Sequence, residues 1–439
     1  MRDLVIFLAV AGVCVWTLRR PWIGILAWTL ISLGSPHIAF GYSAQSWPVA
    51  LAVAVSTLLG LVLTKDKQNP MVGAPVWWLL AFVVWISIAL PLSLYFDDSV
   101  PLWERSIKIF MMIFVALALL NDRRKLHVFI WINVVAIGYY GVKGGVFTVV
   151  TGGNYIVWGP GGFIEGNNEM ALAAITVIPL MRYLQMQMTD RRASLAMTGA
   201  ISLCAVAALG TYSRGAFLGL AAMFALFWVK GRNKFAWAVL LVAVAAIGLP
   251  LMPEQWWTRM DTINTYSSDG SAMGRINAWW TAFYLAEDRF FGGGFMSWMP
   301  SVFERYAPNP EDVHAAHSIY FQVMGEQGFG GLFLFLAIGA STWLTASRLI
   351  RAGQAHSTRR WAEDLGQMVH VSMIGYGVTG AFLSLAYYDL PYNVMVMAVL
   401  ADRFVRREPV TAAAAGPIAA AVSARPAPTA THGAVGRGP

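Results

Sequence analysis

Apolar and polar positions along the 439-residue chain fall into blocks rather than alternating residue by residue. Apolar runs of about 15 to 25 residues are separated by short breaks of charge, proline or glycine, as expected of helices that cross a bilayer. The breaks predict helices over 3–18, 21–34, 47–64, 75–93, 103–120, 126–150, 169–188, 194–211, 214–229, 235–252, 319–347, 365–386 and 391–404. The fold class is therefore all-α: a polytopic integral membrane protein with 12 or 13 transmembrane helices and one long external loop containing helical segments. The first run, Leu4 to Leu18, ends in Arg19-Arg20-Pro21 without a small-residue cleavage site, and reads as a retained helix. Four regions are expected: an N-terminal bundle over 1–252, a long external loop over 253–318, C-terminal helices over 319–408, and a disordered cytoplasmic tail over 409–439.

Every second junction is basic: Arg19/Arg20, Lys65/Lys67, Arg123/Arg124/Lys125, Arg191/Arg192, Lys230/Arg232/Lys234, Arg348/Arg351/Arg359/Arg360 and Arg403/Arg406/Arg407. The junctions between them are acidic or neutral, as at Asp97/Asp98 and the glycine-rich 151–168. The positive-inside rule assigns the basic set to the cytoplasm and the long loop to the other side. In that loop Met273, Ile276, Trp279, Trp280, Phe283 and Tyr284 share one helical face, which predicts a helix lying against the bundle or the bilayer surface.

Composition agrees. Only 12% of residues are charged and 57% are hydrophobic, which excludes a water-soluble globular enzyme. The net charge of +8 is absorbed by the orienting loops, so nucleic acid is not an expected partner and membrane lipids are. Cys14 and Cys204 both sit inside apolar runs and read as packing residues.

The few charges outside the cytoplasmic set need a reason, because an unpaired charge near hydrocarbon costs several kcal/mol. Arg214, in Thr211-Tyr212-Ser213-Arg214-Gly215, stands at a tight break between two spans, either as a snorkelling cap or as an anion site. Arg275 lies near the start of the expected loop helix, where free N–H groups also favour an anion. Glu104, Arg105 and Lys108 open another span. Glu104 and Lys108 either neutralise each other at (i, i+4), or Arg105 and Lys108 point together into a cavity. Asp97-Asp98 alone is a weak metal signal, and His314 with His317 lacks a third ligand, so no metal site is assigned. His317 carries the side chain best suited to deprotonating a hydroxyl near neutrality, and Glu326 is placed to orient or balance it.

The segment from His317 through Glu326 to Gly331 resembles the signature of the O-antigen ligase and polymerase superfamily, in which His-Ser/Asn is followed by Glu-x-Gly. Gly274-Arg275, Trp279-Trp280 and Phe290-Phe291-Gly292-Gly293-Gly294-Phe295 are similar to the family's external-loop pattern, and Ser213-Arg214-Gly215 to its turn between spans. Together these motifs cover 211–331, and the chain looks closest to the exosortase-associated O-glycosylation ligases. The resemblance implies a cofactor-free, metal-independent glycosyltransferase in the bacterial inner membrane, with its site facing the periplasm. Its donor would be a glycan on undecaprenyl pyrophosphate, and its acceptor lipid A-core, a growing glycan or a protein hydroxyl. Arg214, Arg275, Lys108 and Arg105 are then expected to hold the pyrophosphate, and His317 to act as base in a single inverting displacement. Glu326, His314 and Tyr212 are supporting candidates, while Tyr388 and Asp389 either line the cavity or form a simple turn. The competing readings are a transporter of the same lipid-linked glycan and a structural partner of a membrane complex. Neither would need the histidine.

Overall fold

A computed structural model describes residues 2–230, 253–261 and 270–408. The expected span at 235–252 and the expected tail at 409–439 lie outside the described residues. The described residues are 80% helical and contain no strands. The helices are α1 (Arg2–Arg19), α2 (Pro21–Gly34), α3 (Pro36–Phe40), α4 (Val49–Leu63), α5 (Ala74–Ala89), α6 (Phe96–Leu119), α7 (Arg123–Val150), α8 (Asn167–Met186), α9 (Arg191–Gly210) and α10 (Arg214–Lys230). They continue with α11 (Glu254–Asp261), α12 (Gly270–Asp288), α13 (Pro300–Tyr306), α14 (Ile319–Ala355), α15 (Arg360–Gly380) and α16 (Asp389–Arg407).

Four stretches are long and apolar enough to cross a membrane: Ala74–Leu92, Arg123–Val150, Arg191–Gly210 and Ile319–Ala355. Shorter apolar helices cover Pro21–Gly34, Val49–Leu63 and Arg214–Val229. The protein is thus an all-α polytopic membrane protein. Helices α8 and α16 fall below that apolar threshold because protein rather than lipid surrounds them. Every residue from Met170 to Met181, and every residue from Tyr392 to Ala401, is buried. A helix enclosed by neighbours can carry small and polar side chains that would be costly against hydrocarbon. Asn393 of α16 uses this freedom, donating from Nδ2 to Asn133 Oδ1 of α7 at 2.9 Å.

Several boundaries differ from the sequence reading, and two of them bear on the site. Helix α6 begins at Phe96 instead of 103, so Asp97 and Asp98 lie in its first turn, where carboxylates face free N–H groups favourably. Helix α15 stops at Gly380 instead of 386, which frees 381–388 as a connecting turn. That turn, the α9–α10 turn and the N-terminal part of α12 meet at one place.

The central positioning device is a break in α14. Gly328 has φ +69°, so the helix is interrupted about two and a half turns past its opening. The carbonyls this frees are taken up by the glycine-rich segment: Gly293 N–H donates to Gly325 O and Gly294 N–H to Glu326 O, both at 2.9 Å. Trp85 Nε1 of α5 donates to Gln327 O at 2.9 Å. Only glycine permits this approach, since a Cβ on Gly292 would lie 2.5 Å from Gly328 N.

Candidate functional site

The α9–α10 turn is built by its own side chains. Thr211 Oγ1 donates to Ala208 O at 2.6 Å, closing α9, and Tyr212 adopts φ +57°. Ser213 Oγ accepts the Ala216 N–H at 3.2 Å, capping the N-terminus of α10. Arg214 is therefore the first residue of a helix, where backbone N–H groups and the helix dipole favour a bound anion. Asn167 Nδ2 ties the turn to α8 through Thr211 O at 2.8 Å. The Tyr212 hydroxyl donates to Gly153 O, and burial pushes this phenol upward, so it stays protonated.

Arg275 reaches the same place from α12. Arg214 and Arg275 line one small polar pocket together with Asn168, Tyr212, Ser213, Gly215, Thr379, Phe382 and Leu383. The structure thus brings together two arginines 61 positions apart in the chain, numbers 275 and 214. A third wall comes from the end of α15 and its following turn, which the sequence reading did not anticipate. The signal for it was slight: a Gly-Ala pair where the apolar run was read as continuous.

Next to Arg275 the loop bends back towards α14. Asn277 clamps it with three bonds, donating from Nδ2 to Asn309 O at 2.8 Å and Asp312 O at 2.9 Å and accepting the Asn309 N–H at 2.9 Å. Trp279 stacks on Phe321, with centroids 4.8 Å apart and planes 5° apart, and its Nε1 donates to Ala316 O at 2.7 Å. Both contacts fix the approach to His317, which is held at φ +43°, a conformation costly for a residue with a Cβ. Such strain persists only where surrounding contacts impose it. Asn277 was missed by sequence reasoning because a loop-clamping amide has no distinctive spacing. His314 Nδ1 lies 2.7 Å from Asp312 Oδ1, and its ring covers Gly274 so closely that a Cβ there would sit 2.8 Å from Nδ1. Burial, then the positive charge of Arg275, then His314, lower the His317 pKa below its ordinary value. His317 is therefore a neutral imidazole near pH 7, the form able to accept a proton.

Glu326 is buried and holds a different position. Trp298 Nε1 donates to its Oε1 at 3.2 Å and Gln322 Nε2 at 3.3 Å, while Gln322 Oε1 accepts the Ala386 N–H at 3.2 Å. The carboxyl thus braces the 381–388 turn against the broken part of α14. Among the described residues no ion pair is formed by Glu326.

The two cations of α6, Arg105 and Lys108, are not among the residues that line the arginine pocket. Lys108 pairs with Glu104 at 2.9 Å, with both side chains about half exposed, which is the self-neutralising (i, i+4) arrangement. The Arg105 guanidinium lies 3.4 Å over the ring of Phe163 and faces the charge of Asp389. Tyr388 packs on the same Phe163 ring at 5.6 Å, and Asp389 accepts from Ser32. Tyr388 and Asp389 are thus fully buried members of an aromatic and ionic cluster that joins α2, α6 and α16, not walls of the Arg214–Arg275 pocket. Among the described residues no group of His, Cys, Asp and Glu side chains is arranged to hold a metal ion.

A second cavity, about 220 Å³ and mainly apolar, begins at Ile319 and Tyr320, directly after His317, and runs between α14, α15 and α16 past Phe335, Ile338 and Met395.

Arg214 at the start of α10 and Arg275 of α12 thus share one pocket, with His317 electrostatically coupled to Arg275 and an apolar cavity in the same bundle. Residues 199–336 match the family described as O-antigen ligase, and residues 1–189 match a family of unknown function, DUF5935. No curated protein matches the chain. The matched segment, which contains Arg214, Arg275, His317 and Glu326, supports a relationship to the O-antigen ligase superfamily. That match supports a glycosyltransferase-like role in the membrane, with a lipid-linked glycan as donor in general terms.

Proposed function

We propose that this protein is a ligase that transfers a glycan en bloc from undecaprenyl pyrophosphate to an acceptor hydroxyl, with lipid A-core as the acceptor, on the periplasmic face of the inner membrane. The observation that carries this reading is the convergence of Arg214 and Arg275 on one pocket, with His317 kept neutral beside Arg275. In this reading the two guanidiniums and the first N–H groups of α10 hold the pyrophosphate. His317 takes the proton of the acceptor hydroxyl as the oxygen attacks the anomeric carbon. A C–O bond forms there, the C–O bond to the phosphate breaks, and the anomeric centre inverts. Negative charge then builds on the leaving undecaprenyl pyrophosphate, where the arginines stabilise it more strongly than in the bound donor. The apolar cavity after His317 is suited to the first part of the lipid chain.

The test is reconstitution of the purified protein with undecaprenyl-pyrophosphate glycan and a lipid A-core acceptor, following product by gel shift. Wild type should give one junction per acceptor, and His317→Ala should lose transfer by at least about 100-fold, the scale of general-base catalysis. A folded His317→Ala protein that transfers at the wild-type rate rules out the mechanism. A ladder of products would identify a polymerase instead of a ligase, and transfer only to a protein hydroxyl would replace the acceptor.

A further inference from the structure

Helix α12 has two apolar faces, and the protein uses only one. Ala278, Ala282, Leu285 and Ala286 are buried, with Ala282 and Ala286 packed against Met324 of α14. The opposite face, Met273, Trp280, Phe283 and Tyr284, is exposed, Trp280 to 48%. These side chains contact one another: Trp280 stacks on Tyr284 at 5.6 Å and meets Phe283 edge-on at 6.0 Å. Phe283 in turn meets Phe329 of α14 at 5.7 Å. Phe329 begins a stripe of exposed apolar residues, Phe329, Phe333, Leu336 and Leu344, along one side of a helix that is long and apolar enough to cross the membrane. Phe290, 71% exposed, extends the patch past α12 and contacts Trp85 of α5 at 5.4 Å.

A soluble surface would not keep four large aromatic side chains in contact and uncovered. Aromatic rings at one end of a lipid-facing stripe are what the boundary between headgroups and acyl chains selects, because their apolar bodies enter hydrocarbon while the tyrosine hydroxyl and indole N–H stay hydrated. Continuity through Phe283 and Phe329 makes the α12 face an extension of the lipid-facing side of α14.

We propose that the Trp280–Phe283–Tyr284 face of α12, with Phe290, lies in the interface of the bilayer and fixes the depth of Arg275. Arg275 is five residues from Trp280 on the same helix, ~7.5 Å along its axis. Seating the aromatic face at the acyl boundary holds that guanidinium at headgroup level, where the anionic group of a membrane-embedded lipid is found. This role rests on the proposed transfer reaction only for its consequence in catalysis, not for the seating itself.

Spin labels report the seating directly. In a Cys14→Ser, Cys204→Ser background in nanodiscs, Trp280→Cys, Tyr284→Cys and Phe290→Cys proteins are labelled, with Glu311→Cys as a label on an exposed loop. The first three should be relaxed more by lipid-soluble oxygen than by an aqueous nickel chelate, and the label at 311 the reverse. Aqueous accessibility at 280 and 284 equal to that at 311 overturns the proposal, as does shielding from both reagents, which would indicate a protein partner. In the reconstituted assay, Trp280→Ser/Tyr284→Ser should raise the apparent KM at least fivefold for a long-chain polyprenyl-pyrophosphate glycan in bilayers. It should leave a short-chain, water-soluble analogue unchanged. Equal losses with both donors overturn the anchoring role. A wild-type protein that transfers from neither donor defeats the transfer reading and leaves the depth measurement to decide the seating.

Discussion

Replacing Trp279 by phenylalanine removes one hydrogen bond and little else. The ring keeps its stack on Phe321, but Ala316 O loses the donor that reaches it at 2.7 Å. A net intramolecular hydrogen bond contributes about 0.5–1.5 kcal/mol, and a buried carbonyl left without a donor costs about 1–3 kcal/mol. Beside it His317 is held at φ +43°, a conformation that costs about 1–3 kcal/mol and relaxes once its restraints weaken. The two terms are of similar size, so the lost bond is enough to tip the 316–318 backbone towards negative φ and turn the imidazole away. A shift of about 1–2 kcal/mol reduces the competent population, and hence kcat, by about 5- to 30-fold. The donor KM should change less than twofold, because Arg214 and Arg275 are untouched. Steady-state transfer kinetics in proteoliposomes, with a thermal melt to confirm folding, make the measurement. A kcat within twofold of wild type would refute the idea that Trp279 maintains the strained His317.

Three further outcomes follow from the geometry. Because burial and Arg275 lower the His317 pKa, the acid limb of kcat/KM, where the base becomes protonated, should lie below that of an ordinary imidazole; Arg275→Gln should move that limb upward, and a pH profile in proteoliposomes reads both. Gly328→Ala places a Cβ 2.2 Å from Phe290 O at φ +69°, so it should destabilise the fold by at least about 1–3 kcal/mol, seen as a lowered melting temperature in detergent. Lys108→Ala breaks only a half-exposed (i, i+4) pair and should change stability by no more than about 0.5 kcal/mol and the donor KM by less than twofold, whereas Arg275→Ala should raise that KM about tenfold or more.

Much of the fold was legible because lipid imposes a strong rule on sequence: long apolar runs, basic breaks and few charges. The rule fails for helices screened from lipid, which is why α16, with Asn393 and Arg403 buried in it, matches the bilayer pattern less well than α5. Arg214, Arg275 and His317 were legible because each is a costly residue type in an apolar setting, and the structure gathers them. Arg105 and Lys108 were equally conspicuous, yet one stacks on Phe163 and the other pairs with Glu104. Cost marks a residue as needing a partner without saying which partner it finds. The Glu-x-Gly motif carried a signal for chemistry, but its glycine breaks α14 and its glutamate braces the 381–388 turn. Asn277, Trp298 and Gln322 escaped notice because each works through hydrogen bonds to residues 28 to 64 positions away, which no local spacing encodes.

The most direct test asks whether Arg214 and Arg275 bind one anion. Affinity for undecaprenyl pyrophosphate is measured in nanodiscs for wild type, Arg214→Ala, Arg275→Ala and the double variant. Two guanidiniums on the same pyrophosphate should be coupled, so the double variant should lose less than the sum of the single losses, with an interaction energy of about 1 kcal/mol or more. Strictly additive losses, or single variants that bind as wild type does, would contradict a shared pyrophosphate site.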